Sequence, residues 1–188
     1  YHGINPPHII LDDDHGGFIA TEHLIELGHK KILGIFKSDD LQGVKRMKGF
    51  FRAARENGLA FSSDMVVTFT TEDRKEKIAQ DVKALLSASS RPTAVVCYND
   101  EIALDVLHVI RELGLRVPDD ISMVGYDDSH LTEATEVRLT SITHPKMKMG
   151  IAAAKWIVAK IEDKNGGSMD HSIVYTPELV VRDSRRDL

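Results

Sequence analysis

TAVVCYNDEIALDVLHVIRELGLRVPDDISMVGYDD, residues 93–128, carries the pattern that decides the fold. Thr93–Cys97 is a short, apolar, β-branched run bounded by polar residues, as a buried strand requires. Glu101–Leu113 then places Ile102, Leu104, Val106, Leu107, Val109, Ile110 and Leu113 at helical spacing, a broad stripe for burial. Gly114 follows, the residue a left-handed C-terminal cap needs. Ser122–Tyr126 is apolar again and reads as the next strand. Strand, helix and strand in this order form a right-handed βαβ unit with parallel pairing.

The same unit repeats outward in both directions. Upstream, strands are expected at His8–Leu11, Ile32–Phe36 and Met65–Thr68, and helices at Gly16–Leu27, Gln42–Asn57 and Asp73–Ser87. Gly28 and Gly58 close the first two of these helices. Downstream come strand Thr140–Thr143, helix Lys146–Glu162 and a last strand over Ile173–Val181, with an exposed loop at Asn165–Ser168. Such alternation predicts an α/β fold, parallel sheet with helices on both faces.

Composition narrows the class. With 188 residues, 42% hydrophobic and 28% charged, the chain is an ordinary globular protein able to bury a core. Its longest apolar runs, such as Ala94–Tyr98, fall far short of a bilayer span. No basic stretch with an apolar core opens the sequence, so no export signal is expected, and the protein is placed in the cytoplasm. The single Cys97 cannot form an intrachain disulfide and is expected in the core. A formal net charge of -5, with no sustained Lys/Arg block, argues against these residues gripping a phosphate backbone.

Ligands of open parallel sheets bind beyond the carboxyl ends of the strands. Those positions hold Asp12, Asp13, Asp14 and His15, then Lys37 to Asp40, Asn99 and Asp100, Asp127 and Asp128, and His144. Carboxylates, carboxamides and cations suit a polyhydroxylated ligand, whose hydroxyls both donate and accept. At any single junction such residues serve equally as helix caps; taken together they favour a polar pocket. Arg46 stands four residues after Gln42, on the same helix face. A cation there opposes the helix dipole, by about 0.3–1 kcal/mol when exposed. A ligand hydroxyl or an Asp side chain would compensate; the bland alternative is a solvated Arg beside Lys45. Phe69, expected in a loop after its strand, is the aromatic residue available to stack on sugar carbons, whereas Phe36 and Tyr98 read as core.

Enzyme signatures are missing: there is no phosphate-binding loop, dinucleotide fingerprint, nucleophile elbow or zinc helix. Asp12–His15 could hold a hard cation, but not with calcium-loop spacing, and the nine His show no ligand pair at helical spacing. No catalytic residue, no metal and no cofactor is expected.

These residues fall into ordered motifs. Gly16-Gly17-Phe18-Ile19-Ala20-Thr21-Glu22-His23-Leu24, with Gly28-His29 and Ile32, resembles a signature of lac-repressor-type regulators. Arg46-Met47-Lys48-Gly49-Phe50, Pro92-Thr93-Ala94 with Asn99-Asp100, Val117–Asp128, Leu139–Ile142 and Glu178–Arg182 resemble its later motifs, over essentially the whole chain. Phe36–Met47, with Lys37 and Gln42, is most similar to the arabinose-responsive repressors, which join this domain to a GntR-type DNA-binding head.

The resemblance implies a periplasmic-binding-protein-like fold, two α/β lobes with a sugar in the cleft between them. It places Lys37, Gln42, Arg46, Asn99, Asp127 and His144 toward the effector, with Asp13, Asp14 or His15 facing it from the other lobe. Residues 1–31 are expected to be a remnant of the first lobe, 32–143 the second lobe, and 144–188 a return to the first. Most of the first lobe and the DNA-reading head are then expected outside this sequence. The implied function is the effector domain of a sugar-responsive repressor: a pentose, L-arabinose first, controls operator binding by a homodimer. A sugar receptor of a transport system, or a sugar-processing enzyme, is the alternative from another class.

Overall fold

In the computed structural model, which describes residues 8–59, 65–162 and 172–188, the chain runs β1 (Ile9–Leu11), α1 (Asp13–Glu26), β2 (Ile32–Lys37), α2 (Leu41–Glu56) and β3 (Val66–Phe69). A helical stretch follows as α3 (Arg74–Lys77), a π-helical turn at Ile78–Val82 and α4 (Lys83–Ser87). Then come β4 (Ala94–Cys97), α5 (Asp100–Glu112), β5 (Ser122–Asp127), a 3-10 turn at His130–Glu133, β6 (Thr140–Thr143), α6 (Lys146–Glu162), β7 (Ile173–Tyr175) and β8 (Leu179–Val180). The expected α/β alternation is present. The loop expected at Asn165–Ser168 lies outside the described residues.

Two sheets result. The larger has the order β3-β2-β4-β5-β6-β8, parallel except for the β6–β8 pair; the smaller joins β1 and β7 in parallel. Period-2 alternation within the central strands feeds two cores, one on each face. Leu33 and Ile35 of β2, Val95 and Cys97 of β4 and Met123 of β5 pack with α5 and with Ile78, Val82 and Leu86. Their alternates Ile32, Phe36, Ala94, Val96, Val124 and Tyr126 pack with Ala20 and Leu24 of α1 and Phe50 of α2. Cys97 sits at 1% exposure in the first core.

Polar residues start the helices. Asp12, Asp40 and Asn99 each accept a backbone N–H three residues on, from His15, Gly43 and Ile102, at 3.0, 2.6 and 3.0 Å. Helix α1 therefore begins at Asp13, ahead of the expected Gly16. The single strand expected over Ile173–Val181 divides, because Pro177 has no N–H to donate. Ile173–Tyr175 joins the small sheet, while Leu179 and Val180 cross to pair with Ile142 and Ser141.

One expected boundary does not describe the packing. Helix α1, assigned above to the first-lobe remnant, buries Ala20 and Leu24 against the large sheet and lies along α2. The chain changes sheet at Asp12, whose N–H donates to the Tyr175 carbonyl at 2.9 Å. The C-terminal segment also returns to the large sheet: Met123 N–H donates to the Ser184 carbonyl, and Leu188 N–H to that of Leu27. Helix α6 has no buried residue and exposes Met147, Ile151, Ile157, Val158 and Ile161.

His29 anchors this C-terminal strap. At 1% exposure, its Nδ1 lies 2.9 Å from Thr93 Oγ1 and its Nε2 3.2 Å from the Arg186 carbonyl. Burial lowers its pKa below the ordinary 6.5, outweighing the Arg186 carbonyl; burial acts on His23 in the same direction. The unfolded chain takes up protons below 6.5 that the folded rings resist, so stability falls as pH drops through and below that value. Melting at pH 5.5 is expected below that at pH 7.5, with a smaller difference in His29→Gln. A Tm unchanged between the two would remove buried histidine as the source.

Candidate functional site

Three cavities open at the carboxyl ends of the parallel strands. One of about 220 Å³ lies between the sheets, walled by Ile9, Ile10 and Leu11 of β1 and Met149 of α6 on one side. Leu41, Gln42 and Lys45 of α2 form the other wall, with Asp13 and His144 between. A neighbour of about 380 Å³ shares His144 and adds Asp127, Asp128, Lys148, Tyr175 and Glu178. The third, about 280 Å³, lies over the large sheet alone and is lined by Lys37, Phe69, Thr71, Arg74, Tyr98, Asn99 and Glu101.

Asp13 of the first cavity belongs to a buried ion pair. Arg46, 3% exposed, donates from Nε to Asp13 Oδ1 at 2.8 Å and from Nη1 to the Tyr98 carbonyl at 2.7 Å. Its guanidinium carbon stands 3.6 Å from the Tyr126 ring centre and 4.9 Å from that of Tyr98. A planar cation between aromatic faces, with a buried carboxylate in its plane, is an arrangement Lys could not reproduce. The partner that offsets the helix dipole is thus an Asp side chain from α1.

Tyr98 connects that pair to the third cavity. Its hydroxyl donates to Asp40 Oδ2 at 2.7 Å, and its ring meets Phe69 edge-on at 5.9 Å between centres. Lys37 Nζ stands 3.3 Å from the same Asp40 oxygen and 3.4 Å from Asp39. Burial raises the Asp40 pKa, but the Gly43 N–H, the Tyr98 hydroxyl and Lys37 outweigh it and hold the carboxyl below its usual range.

Asp127 joins the large sheet to α6. It accepts from His144 Nδ1 and from Lys146 Nζ, both at 3.0 Å. Its φ of 101° is in the left-handed region, a strain of about 1–3 kcal/mol that these contacts hold in place. Burial pulls its pKa upward, yet His144 and Lys146 prevail and keep it ionised. Asp100, by contrast, is raised by burial; it accepts from Ser141 Oγ and Ser129 N–H and fixes the loop after β5. Among the described residues no group of three or more His, Cys, Asp and Glu is placed to hold a metal ion. No described helix is long and apolar enough to cross a membrane.

Residues 21–185 match the periplasmic binding protein-like domain. The chain belongs to that family. An "Arabinose metabolism transcriptional repressor" of Halalkalibacterium halodurans is 48% identical over 98% of this chain and 50% of its own length. The chain therefore spans about half the length of that curated relative. A LacI transcriptional regulator from a Rhodococcus species superposes with TM-score 0.79 at 32% identity, over 96% of this chain and 70% of its own. A LacI family transcriptional regulator from Enterococcus faecium, solved with bound ribose, superposes with TM-score 0.83 at 26% identity, over 97% and 66%. None of these names is that of an enzyme.

Within this periplasmic binding protein-like domain, the expected site residues do not share one wall. Gln42, Asp13 and His144 line the cavity between the sheets, and Asp127 joins His144 in the second. Lys37, Asn99 and Phe69 line the third, where Phe69 closes β3 at 2% exposure instead of standing in a loop. Arg46 lines none of the three and reaches the first only through Asp13. Asp14 turns to the outer face, paired with Lys48 at 3.0 Å and Arg52 at 2.8 Å. His15 contributes its N–H to the Asp12 cap and lines none of the three cavities. Tyr126 and Lys146 were passed over, Tyr98 was taken for core, and Asp40 was placed among the strand-end residues without its partners Tyr98 and Lys37. A hydroxyl ending an otherwise apolar strand was the available signal for both tyrosines.

Proposed function

We propose that this chain is the effector-sensing domain of a sugar-responsive transcriptional repressor, taking a pentose, with L-arabinose the first candidate. The observation that carries this reading is the cavity between the sheets. It draws one wall from β1 and α6 and the other from α2, so a ligand there touches both sides of the cleft. Gln42, Lys45, Asp13 and His144 offer donors and acceptors to hydroxyl groups beside the apolar Leu11, Leu41 and Met149. The names of the relatives, an arabinose metabolism repressor and a regulator holding ribose, support the same ligand class.

In this reading the effector shifts the relative orientation of the two sheets by its differential affinity for the two arrangements. The shift reaches operator DNA through a head of GntR type, in a cytoplasmic homodimer. Residues 9–12, 144–146 and 175–178 are the three crossings that would transmit it. Titration calorimetry of the full-length protein with L-arabinose, D-xylose and D-ribose is the test. L-Arabinose should bind tightest, and Gln42→Ala should weaken it roughly tenfold, the loss of a ligand hydrogen bond. Absence of binding with all three pentoses would overturn the pentose reading.

A further inference from the structure

We propose that Tyr98 is a positioning residue that sets effector preference, by fixing the Lys37 ammonium through Asp40. The inference rests on the pentose reading above and extends its site from the cavity between the sheets to the third cavity, which Lys37 and Tyr98 line. An ammonium has three N–H donors. Two stand within reach of Asp39 at 3.4 Å and Asp40 at 3.3 Å, leaving one for the cavity that Lys37 lines with Phe69, Tyr98 and Asn99. Free lysines move among many rotamers; this one is set by where Asp40 stands. Asp40 is fixed at both oxygens, by the Gly43 N–H at 2.6 Å and by the Tyr98 hydroxyl at 2.7 Å. Burial and the bond to Asp40 push the Tyr98 pKa far up, so the hydroxyl stays protonated and remains a donor.

Tyr98 also fixes the other side of the same wall. Its carbonyl accepts from Arg46, its ring meets Phe69, and it precedes Asn99, whose side chain is taken by the Ile102 N–H. The hydroxyl is thus the one part of Tyr98 whose loss leaves the core contacts standing. Its role is to decide which ligand hydroxyl the third Lys37 N–H can meet, and so to discriminate pentose epimers.

The full-length protein as wild type, Tyr98→Phe, Lys37→Met and the double variant, each titrated with L-arabinose, D-xylose and D-ribose, tests this. Tyr98→Phe is expected to keep the wild-type far-UV circular dichroism, weaken L-arabinose about tenfold and narrow its preference over the other pentoses. In the Lys37→Met background the same change should cost no further affinity, a non-additivity that a general loosening would not produce. Additive losses, or an unchanged preference in Tyr98→Phe, overturn the positioning role while the pentose reading stands. Wild type blind to all three sugars overturns both. Should Tyr98→Phe fail to fold, Asp40→Asn, whose amide oxygen can still cap Gly43, reads the same preference with the same two outcomes.

Discussion

Replacing Arg46 with alanine should destabilise the protein by about 3–5 kcal/mol, a fall in Tm on the order of 10 °C. The change strands Asp13, 5% exposed, without the guanidinium that lies 2.8 Å away. It also removes the donor to the Tyr98 carbonyl and empties the space between two aromatic rings. A buried pair is costly to break and cheap to replace whole, because no lone charge is left behind. Asp13→Leu with Arg46→Met should therefore recover most of the lost stability, and a thermal melt of the two variants side by side reads the difference. Equal melting of the single and double variants would show that water reaches Asp13. Loss of sugar binding in Arg46→Ala would then report a damaged wall and not a lost contact, which is why Gln42 is the better probe of the ligand.

Gly49→Ala should destabilise as well, by roughly 2–3 kcal/mol. The usual effect of this substitution inside a helix is the reverse, a gain of about 0.5–1 kcal/mol. Here a Cβ would run into the carbonyl oxygen of Asp14, and at Gly17 into that of Arg46. Helices α1 and α2 cross backbone to backbone at these two points, so neither can yield by turning a side chain. Gly150 of α6 is the internal control, since nothing stands within 4 Å of its Cβ position and Gly150→Ala should follow the usual rule. Urea denaturation of both variants measures the contrast. A stabilised Gly49→Ala protein would mean that the two helices separate without cost.

The crossing explains why some of the site was legible in sequence and some was not. Alternation between Leu33 and Ile35 on one face and Ile32 and Phe36 on the other is local, and period 2 exposes it at once. Strand ends follow from the strands, so Lys37, Asn99, Asp127 and His144 could be placed at the carboxyl edge of the sheet by position alone. What spacing does not carry is which side chain a polar group meets across the fold. Asp13 and Asp14 are neighbours in sequence, yet one faces Arg46 from the core and the other faces Lys48 and Arg52 from outside. Helical geometry separates them by about 100°, and only the docking of α1 on α2 selects the partner of each. Tyr98 was read as core because its ring is core; its hydroxyl and its carbonyl do the connecting. Likewise the strand expected over Ile173–Val181 is two, and Pro177, between the halves, was the legible seam, though not a sign that they serve different sheets.

The pairing of β1 with β7 has a kinetic consequence. His8 donates to Ser172 Oγ across a separation of 164 residues, so this sheet closes a loop made of nearly the whole chain. Closing so long a loop costs more conformational entropy than closing any single βαβ unit. The βαβ units of the large sheet need far shorter excursions and can form first. The β1–β7 wall of the cleft should thus fold after the βαβ units of the large sheet and exchange its amide protons sooner than they do, leaving the large sheet, with its two cores, as the foldon on which recognition is assembled.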